Sequence, residues 1–348
     1  MMIAVIDHNL KKAEFQFFDN TGDTPVKRLT VPLSALEEGQ GFSRLKNELA
    51  AAGPLRGAAV RLRFGGDVFR EPTLVNASFL NAFTALIPGF PLYVPTAVAF
   101  LSQLLPLLKG APCFAFFETA LFCDLPEAEK NYAIPPEFNE QQPIRRFGFH
   151  GITHSRNAAL LGNKGAALSF VFDNTTTVCA LRDGRPAYIS VGYSPLEGVM
   201  GRTSCGDLDP GVVFYLLRAL KVSYYRIDDM LKKESGFLGL TGLDLDIGAL
   251  YAHAASNPEV AYAFEIYFNH LLKHAGEAMA VTSGIDAVAF GGRFARPLQP
   301  LILRLARKLS FLGLHIKPLP WPLDAGHYCD ITTADSRIRA IVNQEPLP

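Results

Sequence analysis

Residues 145–155 read R-R-F-G-F-H-G-I-T-H-S, two arginines and two histidines close together in a chain with only 19% charged residues. Arg145, Arg146, His150 and His154 are donors suited to anions, and Gly148 and Gly151 let a backbone approach a ligand closely. The plain alternative is a polar turn followed by a capped helix starting near Thr153. A second pattern points the same way. An apolar strand at 3–6 ends in Asp7, turns, and returns as a strand at 14–18. The arrangement recurs at 168–172, with Asp173, the turn residues 174–177 and a strand at 178–181. A strand ending in a carboxylate at a tight turn aims backbone N–H groups and a charge at a phosphate or its metal. Two copies suggest a duplicated α/β domain with a ligand in the cleft between them.

The elements that must position these residues follow from periodicity. Helical spacing fits 42–52, 98–108, 212–221, 262–280 and 301–309, and strands fit 58–62, 113–117, 188–191 and 287–290, the last running into Gly291 and Gly292. Strands alternating with helices predict largely parallel or mixed sheets covered on both faces. No low-complexity linker occurs, so the domain boundary is expected as a tight hinge near 118–124. The domain reading is 1–120 plus 334–348 for the first domain and 121–333 for the second.

Composition narrows the classes. With 348 residues, 49% of them apolar, the chain can build two cores. Its 33 basic and 33 acidic residues cancel, which leaves no electrostatic footprint for nucleic acid. The five cysteines show no C-x-x-C spacing and read as reduced core residues of a cytoplasmic protein. No charge occurs between Glu71 and Lys109, but Pro72, Pro88, Pro91, Pro95 and Pro106 interrupt that segment. It reads as buried helix, loop and helix, with the walls of an apolar pocket as an alternative, and not as a membrane span. The N-terminus lacks the basic region of a signal peptide.

The stretch at 145–155 closely resembles the R-[RY]-Y-G-F-H-G-T-S-H signature of the acetate kinase family. Further segments resemble that family in the same order. R-L-R-F-G-G-D-V-F at 61–69 is similar to R-V-V-H-G-G-E-x-F, and P-L-Y-V-P-T-A at 91–97 to P-L-H-N-P-A-N. F-E-T-A-L-F at 117–122 is similar to F-D-T-A-F-H, V-G-Y-S-P-L-E-G-V at 191–199 to M-G-F-T-P-L-E-G-L, and S-G-F-L-G-L-T-G at 235–242 to S-G-L-L-G-L-S-G. The resemblance covers nearly the whole chain. It implies two RNase H-like α/β domains of the actin/Hsp70/sugar-kinase type with an interdomain cleft, and a homodimer.

It also implies a phosphoryl group passing between a nucleotide with Mg2+ and a short-chain carboxylate. Such a transfer needs positioned cations and donors more than covalent chemistry. By resemblance, Arg61 holds the carboxylate, His150 stabilises the planar phosphoryl, and Leu92 and Phe149 wall the methyl pocket. Glu118 replaces an aspartate that orients substrate and metal. Arg61, Glu118, Phe149 and His150 are therefore expected to converge in one cleft. Arg202 stands two residues before the position of the family's second arginine, which is Ser204 here. Asp7 is the metal candidate, through water, and Asn174, Thr175, Asp246, Gly291 and Gly292 are the phosphate and nucleotide candidates.

The departures fall on the nucleotide side. Asp7-His8-Asn9-Leu10-Lys11-Lys12 replaces N-A-G-S-S-S, and V-F-D-N-T-T-T at 171–177 replaces H-L-G-N-G-S-S. Gly248 stands where the family's D-x-R has its arginine, and Arg293-Phe294 follows Gly291-Gly292 where the family has I-G. These losses predict weak or absent ATP binding. Three readings stand: a carboxylate kinase with altered nucleotide contacts, a non-catalytic homologue binding a carboxylate, an acyl phosphate or a partner protein, and a kinase using pyrophosphate or phosphate. For the last, Lys11, Lys12, Arg202 and Arg293 would supply charge. His270 and His274, four apart on a helix, read as surface or interface residues, and Trp321 as a packed turn residue.

Overall fold

The computed structural model describes residues 2–8, 12–19, 25–32, 40–90, 93–140, 143–322 and 328–344. The chain divides into two compact units, Met1–Cys123 with Ile134–Pro143, and Asp124–Ala133 with Ile144–Leu347.

The first unit is built on β1 (Met2–His8), β2 (Lys12–Phe18), β3 (Lys27–Pro32), β4 (Leu55–Leu62), β5 (Thr73–Leu74) and β6 (Cys113–Phe117). Their order across the sheet is β3-β2-β1-β4-β6-β5. The first three are antiparallel, β4 and β6 continue parallel to β1, and β5 closes the edge antiparallel. Ala4 and Ile6 of β1 are buried while Ile3 and Val5 are exposed, the alternation of a strand with one face on a core. The helices are α1 (Gln40–Ala52), α2 (Ala77–Thr84) and α3 (Val94–Leu107). Helix α3 begins four residues before the periodicity predicts, because Pro95 occupies its first turn, where no N–H is required. Among the described residues no helix is long and apolar enough to cross a membrane.

The second unit repeats the plan. Its strands are β7 (Ala166–Val171), β8 (Thr177–Arg182), β9 (Arg185–Ile189), β10 (Ala287–Gly291), β11 (Tyr328–Asp330) and β12 (Arg339–Asn343). The sheet runs β9-β8-β7-β10-β12-β11, which is the first sheet's pattern of antiparallel triplet, two parallel strands and an antiparallel edge. The duplication expected from two Asp-turn hairpins is thus a duplication of whole sheets. Every residue of β7 and β10 is buried, as both-face cover demands.

Two expectations are corrected. The strand placed at 188–191 is β9 at Arg185–Ile189, since Asp183 and Gly184, with φ of 51° and 77°, make a two-residue hairpin loop straight from β8. Residues 334–343, assigned to the first domain, belong to the second, where β12 pairs in parallel with β10 and buries Ala340, Ile341 and Val342. The second unit also carries α4 (Glu127–Lys130), α5 (Gly151–Leu161), α6 (Pro210–Arg218), α7 (Tyr224–Lys233), α8 (Gly236–Thr241), α9 (Ile247–His253), α10 (Pro258–Val281) and α11 (Gln299–Lys308). Its core gathers Phe170, Phe172, Phe237, Phe264, Tyr267 and Phe290.

Candidate active site

In the first unit the carboxyl ends of β1, β4 and β6 bring charged groups together. Asp7 and Arg61 are in-register neighbours on β1 and β4. Glu118 follows β6, its N–H donating to the carbonyl of Leu62 at 3.0 Å. Its side chain is fully buried and accepts a hydrogen bond from Arg61 Nε. A carboxylate removed from water needs such a partner, and the arginine, about a fifth exposed, is the edge of the pair that reaches solvent. Leu92 lies outside the described residues, as does Lys11.

Asp7 is buried, and neither carboxylate oxygen has a hydrogen-bond partner. The Arg63 guanidinium stands 3.6 Å from Oδ1. Beside it His8 is buried against Phe100, ring centroids 4.7 Å apart, with Nε2 unpartnered. Burial, reinforced by Arg63 and opposed by Asp7, pulls the His8 pKa down to about 4. His8, Arg63, Tyr93 and Thr96 line a small pocket. Mg2+ keeps several waters and is held through one or two carboxylates together with substrate phosphates, so the unpartnered Asp7 carboxylate could hold such an ion through water, with the Arg63 guanidinium as the competing charge. Among the described residues no group of three metal-ligating side chains occurs.

In the second unit His150 precedes α5 in the left-handed conformation (φ 61°), buried, with its ring 4.5 Å from that of half-buried Phe149. No side chain caps this helix, so the Thr153 reading is not what the N-terminus uses. His150 Nδ1 lies 3.0 Å from Thr177 Oγ1, and His154 Nε2 lies 2.9 Å from the same oxygen. His154 Nδ1 meets Ser169 Oγ at 2.7 Å, Asn157 Nδ2 donates to that oxygen at 2.8 Å, and Asn343 Nδ2 donates to Asn157 Oδ1 at 2.6 Å. All six residues are buried. Burial alone drives the His154 pKa down to about 3, so its ring is neutral. Arg146 is committed elsewhere, to Glu197 at 2.5 Å and Glu129 at 3.5 Å. The buried Arg145 guanidinium sits 4.6 Å over the Phe147 ring.

The nucleotide candidates are placed differently from an open cradle. Asn174 keeps a buried, unpartnered Oδ1, and its carbonyl accepts from the Arg202 N–H at 2.8 Å. Thr175 is half-buried beside it. Asp246 is spent as the N-cap of α9, accepting from Ala249 N at 2.8 Å. Gly292 has φ 104° and lies so close to Phe172 that a Cβ would come within 2.5 Å of its carbonyl oxygen. At Gly248 a Cβ would meet Pro297 Cγ at 2.9 Å and Phe294 Cδ1 at 3.0 Å. Phe294 is 8% exposed and belongs to the core. The two departures read separately in sequence therefore touch, and an aromatic ring occupies the space beside Gly248.

The cations near these loops are paired. Arg293 faces Asp173 at 3.4 Å, Arg202 bonds Asp244, and Lys12 bonds Glu14. Asp173 and Arg293 are both departures from the quoted family strings, as are Asp7 and Arg63. In each pair one new charge answers another.

The sequence model of the acetokinase family matches residues 20–345. The chain belongs to the acetokinase family. The acetate kinase of Synechococcus sp. is 33% identical over 327 residues, 91% of this chain and 79% of that one. The acetate kinase of Clostridium novyi is 27% identical over 97% of this chain and 84% of its own. Among solved structures, Porphyromonas gingivalis acetate kinase superposes with a TM-score of 0.82 at 21% identity, covering 99% of this chain and 96% of that one. A propionate kinase from Francisella tularensis gives 0.83 at 22%, with the same coverage. These similarities and the two duplicated sheets make the fold the two-domain α/β architecture of the actin/Hsp70/sugar-kinase type.

Of the acetokinase-family residues, Arg61 and Glu118 meet in one unit, and Phe149 and His150 in the other. Thr177, Ser169, Asn157 and Asn343 were not anticipated. A signal existed in Asn157, three residues after His154 on one helix face, and in Ser169, the lone polar residue of an A-A-L-S-F-V strand. His274 is not a surface residue. It is buried, and Tyr188 at 2.7 Å, Asp207 at 3.1 Å and Glu277 at 3.3 Å surround it. Burial lowers its pKa, but the two carboxylates outweigh that and raise it overall. Trp321 packs as expected, its indole N–H donating to Lys317 O at 3.0 Å.

Proposed function

We propose that this acetokinase-family chain is a phosphotransferase interconverting a short-chain carboxylate and its acyl phosphate, with a donor that does not occupy the family's adenosine pose. The observation that carries this reading is the contrast between the retained Arg61, Glu118 and His150 and the altered packing at Gly248. Arg61, held by the buried Glu118, supports a role as the carboxylate anchor. His150, buried and hydrogen-bonded at Nδ1, supports a role as donor to the planar phosphoryl, the kind of fixed dipole that lowers such a barrier. Phe294, by contrast, packs against Gly248, the position where the resemblance puts the family's arginine, which supports an altered nucleotide side.

Membership of the acetokinase family implies ATP and Mg2+ as the usual partners. For this chain the packing at Gly248 supports weak nucleotide binding, and Asp7 would hold Mg2+ through water. Phosphate or pyrophosphate is the donor class of a size that needs no adenosine recess. The non-catalytic reading is favoured by one observation, Ser204 in place of the second arginine while Arg202 bonds Asp244. A cytoplasmic homodimer is the accompanying expectation.

A hydroxamate assay for acyl phosphate decides between them. Acetate, propionate and butyrate are each tested against ATP, GTP and pyrophosphate. Turnover with pyrophosphate and not ATP is the expected result. Turnover with ATP at ordinary concentrations would restore the usual kinase, and no turnover with any pair would leave the binding-protein reading.

A further inference from the structure

We infer that Thr177, His154, Ser169, Asn157 and Asn343 form a one-directional hydrogen-bond chain that holds His150 in the tautomer carrying its proton on Nε2. The inference rests on the reading that His150 serves the phosphoryl group, and adds the residues that prepare it. They are positioning residues, since they act through His150.

The direction follows from counting donors. Asn343 Nδ2 donates to Asn157 Oδ1, so the Asn157 amide nitrogen faces Ser169 and donates to its oxygen. That leaves the Ser169 hydroxyl proton for the other neighbour, His154 Nδ1 at 2.7 Å. A ring nitrogen that accepts carries no proton, so His154 holds its proton on Nε2 and donates to Thr177 Oγ1 at 2.9 Å. The Thr177 hydroxyl already accepts there. Its own proton goes to His150 Nδ1 at 3.0 Å, the remaining acceptor it has among the described residues. His150 Nδ1 is thereby an acceptor, and the proton of the neutral ring sits on Nε2.

Reversing the link at Ser169 or Thr177 leaves that hydroxyl proton without an acceptor in a buried site, where an unmade hydrogen bond carries its full desolvation cost. The anchors are rigid. Ser169 lies on β7, Thr177 opens β8, Asn343 ends β12, and His154 with Asn157 share α5. Three consecutive elements and the sequence-distant β12 thus set one proton. The left-handed backbone of His150 aims the ring, and the chain decides which nitrogen offers the N–H.

The test reads the tautomer directly, without turnover. In protein labelled with 15N-histidine, long-range 1H–15N correlation distinguishes a protonated from an unprotonated ring nitrogen, and the His150→Gln spectrum assigns the signal. The expected wild-type result is protonated Nε2 and unprotonated Nδ1 for His150. Ser169→Ala and Thr177→Val should give mixed tautomers, and Thr177→Ser, which keeps the hydroxyl, should restore the wild-type pattern. If acyl phosphate forms, Thr177→Val should lower kcat about tenfold at nearly constant KM. A wild-type His150 protonated on Nδ1, or an unchanged tautomer in both Ser169→Ala and Thr177→Val, would overturn the inference. Should Thr177→Val fail to fold, the wild-type and Ser169→Ala spectra still decide. A protein with the Nε2 tautomer but no activity with any donor would sink the proposed function and leave the chain standing.

Discussion

Phe294→Ala is the perturbation that probes the proposed loss of the family's adenosine pose. The ring is 8% exposed, joins the core of the second unit, and stands 3.0 Å from where a Cβ of Gly248 would lie. Removing a buried phenyl ring costs about 3–5 kcal/mol, transfer and cavity together. Against a typical domain stability of about 5–15 kcal/mol, that is a large share. On the proposed reading, an adenine ring would refill the space that the substitution leaves beside Pro297 and Gly248. Reburying roughly 80–100 Å2 of apolar surface at about 25 cal/mol/Å2 returns about 2 kcal/mol, some thirtyfold in affinity. Urea denaturation measures the first quantity and titration calorimetry with Mg-ATP the second. The wild type should show no heat at millimolar ATP, and the variant should be less stable yet bind detectably. A loss under 1 kcal/mol would mean that the ring is not packed, and micromolar ATP binding by the wild type would refute the argument at its root.

Three further outcomes are expected. His150→Ala should lower kcat a hundredfold or more, about 3–4 kcal/mol, with little change in carboxylate KM, because a phosphoryl donor acts chiefly in the transition state; steady-state hydroxamate kinetics would contradict this by showing unchanged kcat. Arg61→Ala removes one hydrogen-bond partner of the buried Glu118 carboxylate, so it should cost about 1–3 kcal/mol in urea denaturation and abolish acetate binding in calorimetry. Adding Glu118→Gln should recover part of the stability but not the binding, and a full recovery of both would count against the anchor role. His8 and His154 bind protons at about 4 and about 3 when folded but near 6.5 when unfolded. Below pH 6.5 the unfolded chain therefore holds more protons, and stability falls with falling pH by up to about 1.4 kcal/mol per unit for each histidine. Urea midpoints at pH 7, 6 and 5 should show that decline and His8→Gln should make it shallower, leaving the His154 share, whereas a pH-independent midpoint would contradict it.

By itself the sequence determined the architecture. Short apolar runs at β1, β7 and β10 mark the strands, and those are properties of neighbouring residues, whereas the alternating burial along the apolar run of β1 appears only in the structure. The two Asp-turn hairpins announced the duplication for the same reason. Long strings such as that at 145–155 carried family membership, because eleven consecutive residue types leave few alternatives. What lay beyond reach was every relation between distant segments. That Arg293 answers Asp173 and Arg63 answers Asp7 depends on strand order, which no local pattern encodes. Residues 334–343 looked like a return to the first domain, and only the free edge of β10, ready to pair with an apolar strand, decided otherwise. The role of Phe294 needed both its own position and that of Gly248, 46 residues away along the chain, to be in contact. The proton on His150 is the extreme case, since its place follows from hydroxyls and amides on three strands and a helix whose hydrogen bonds exist only once the fold excludes water.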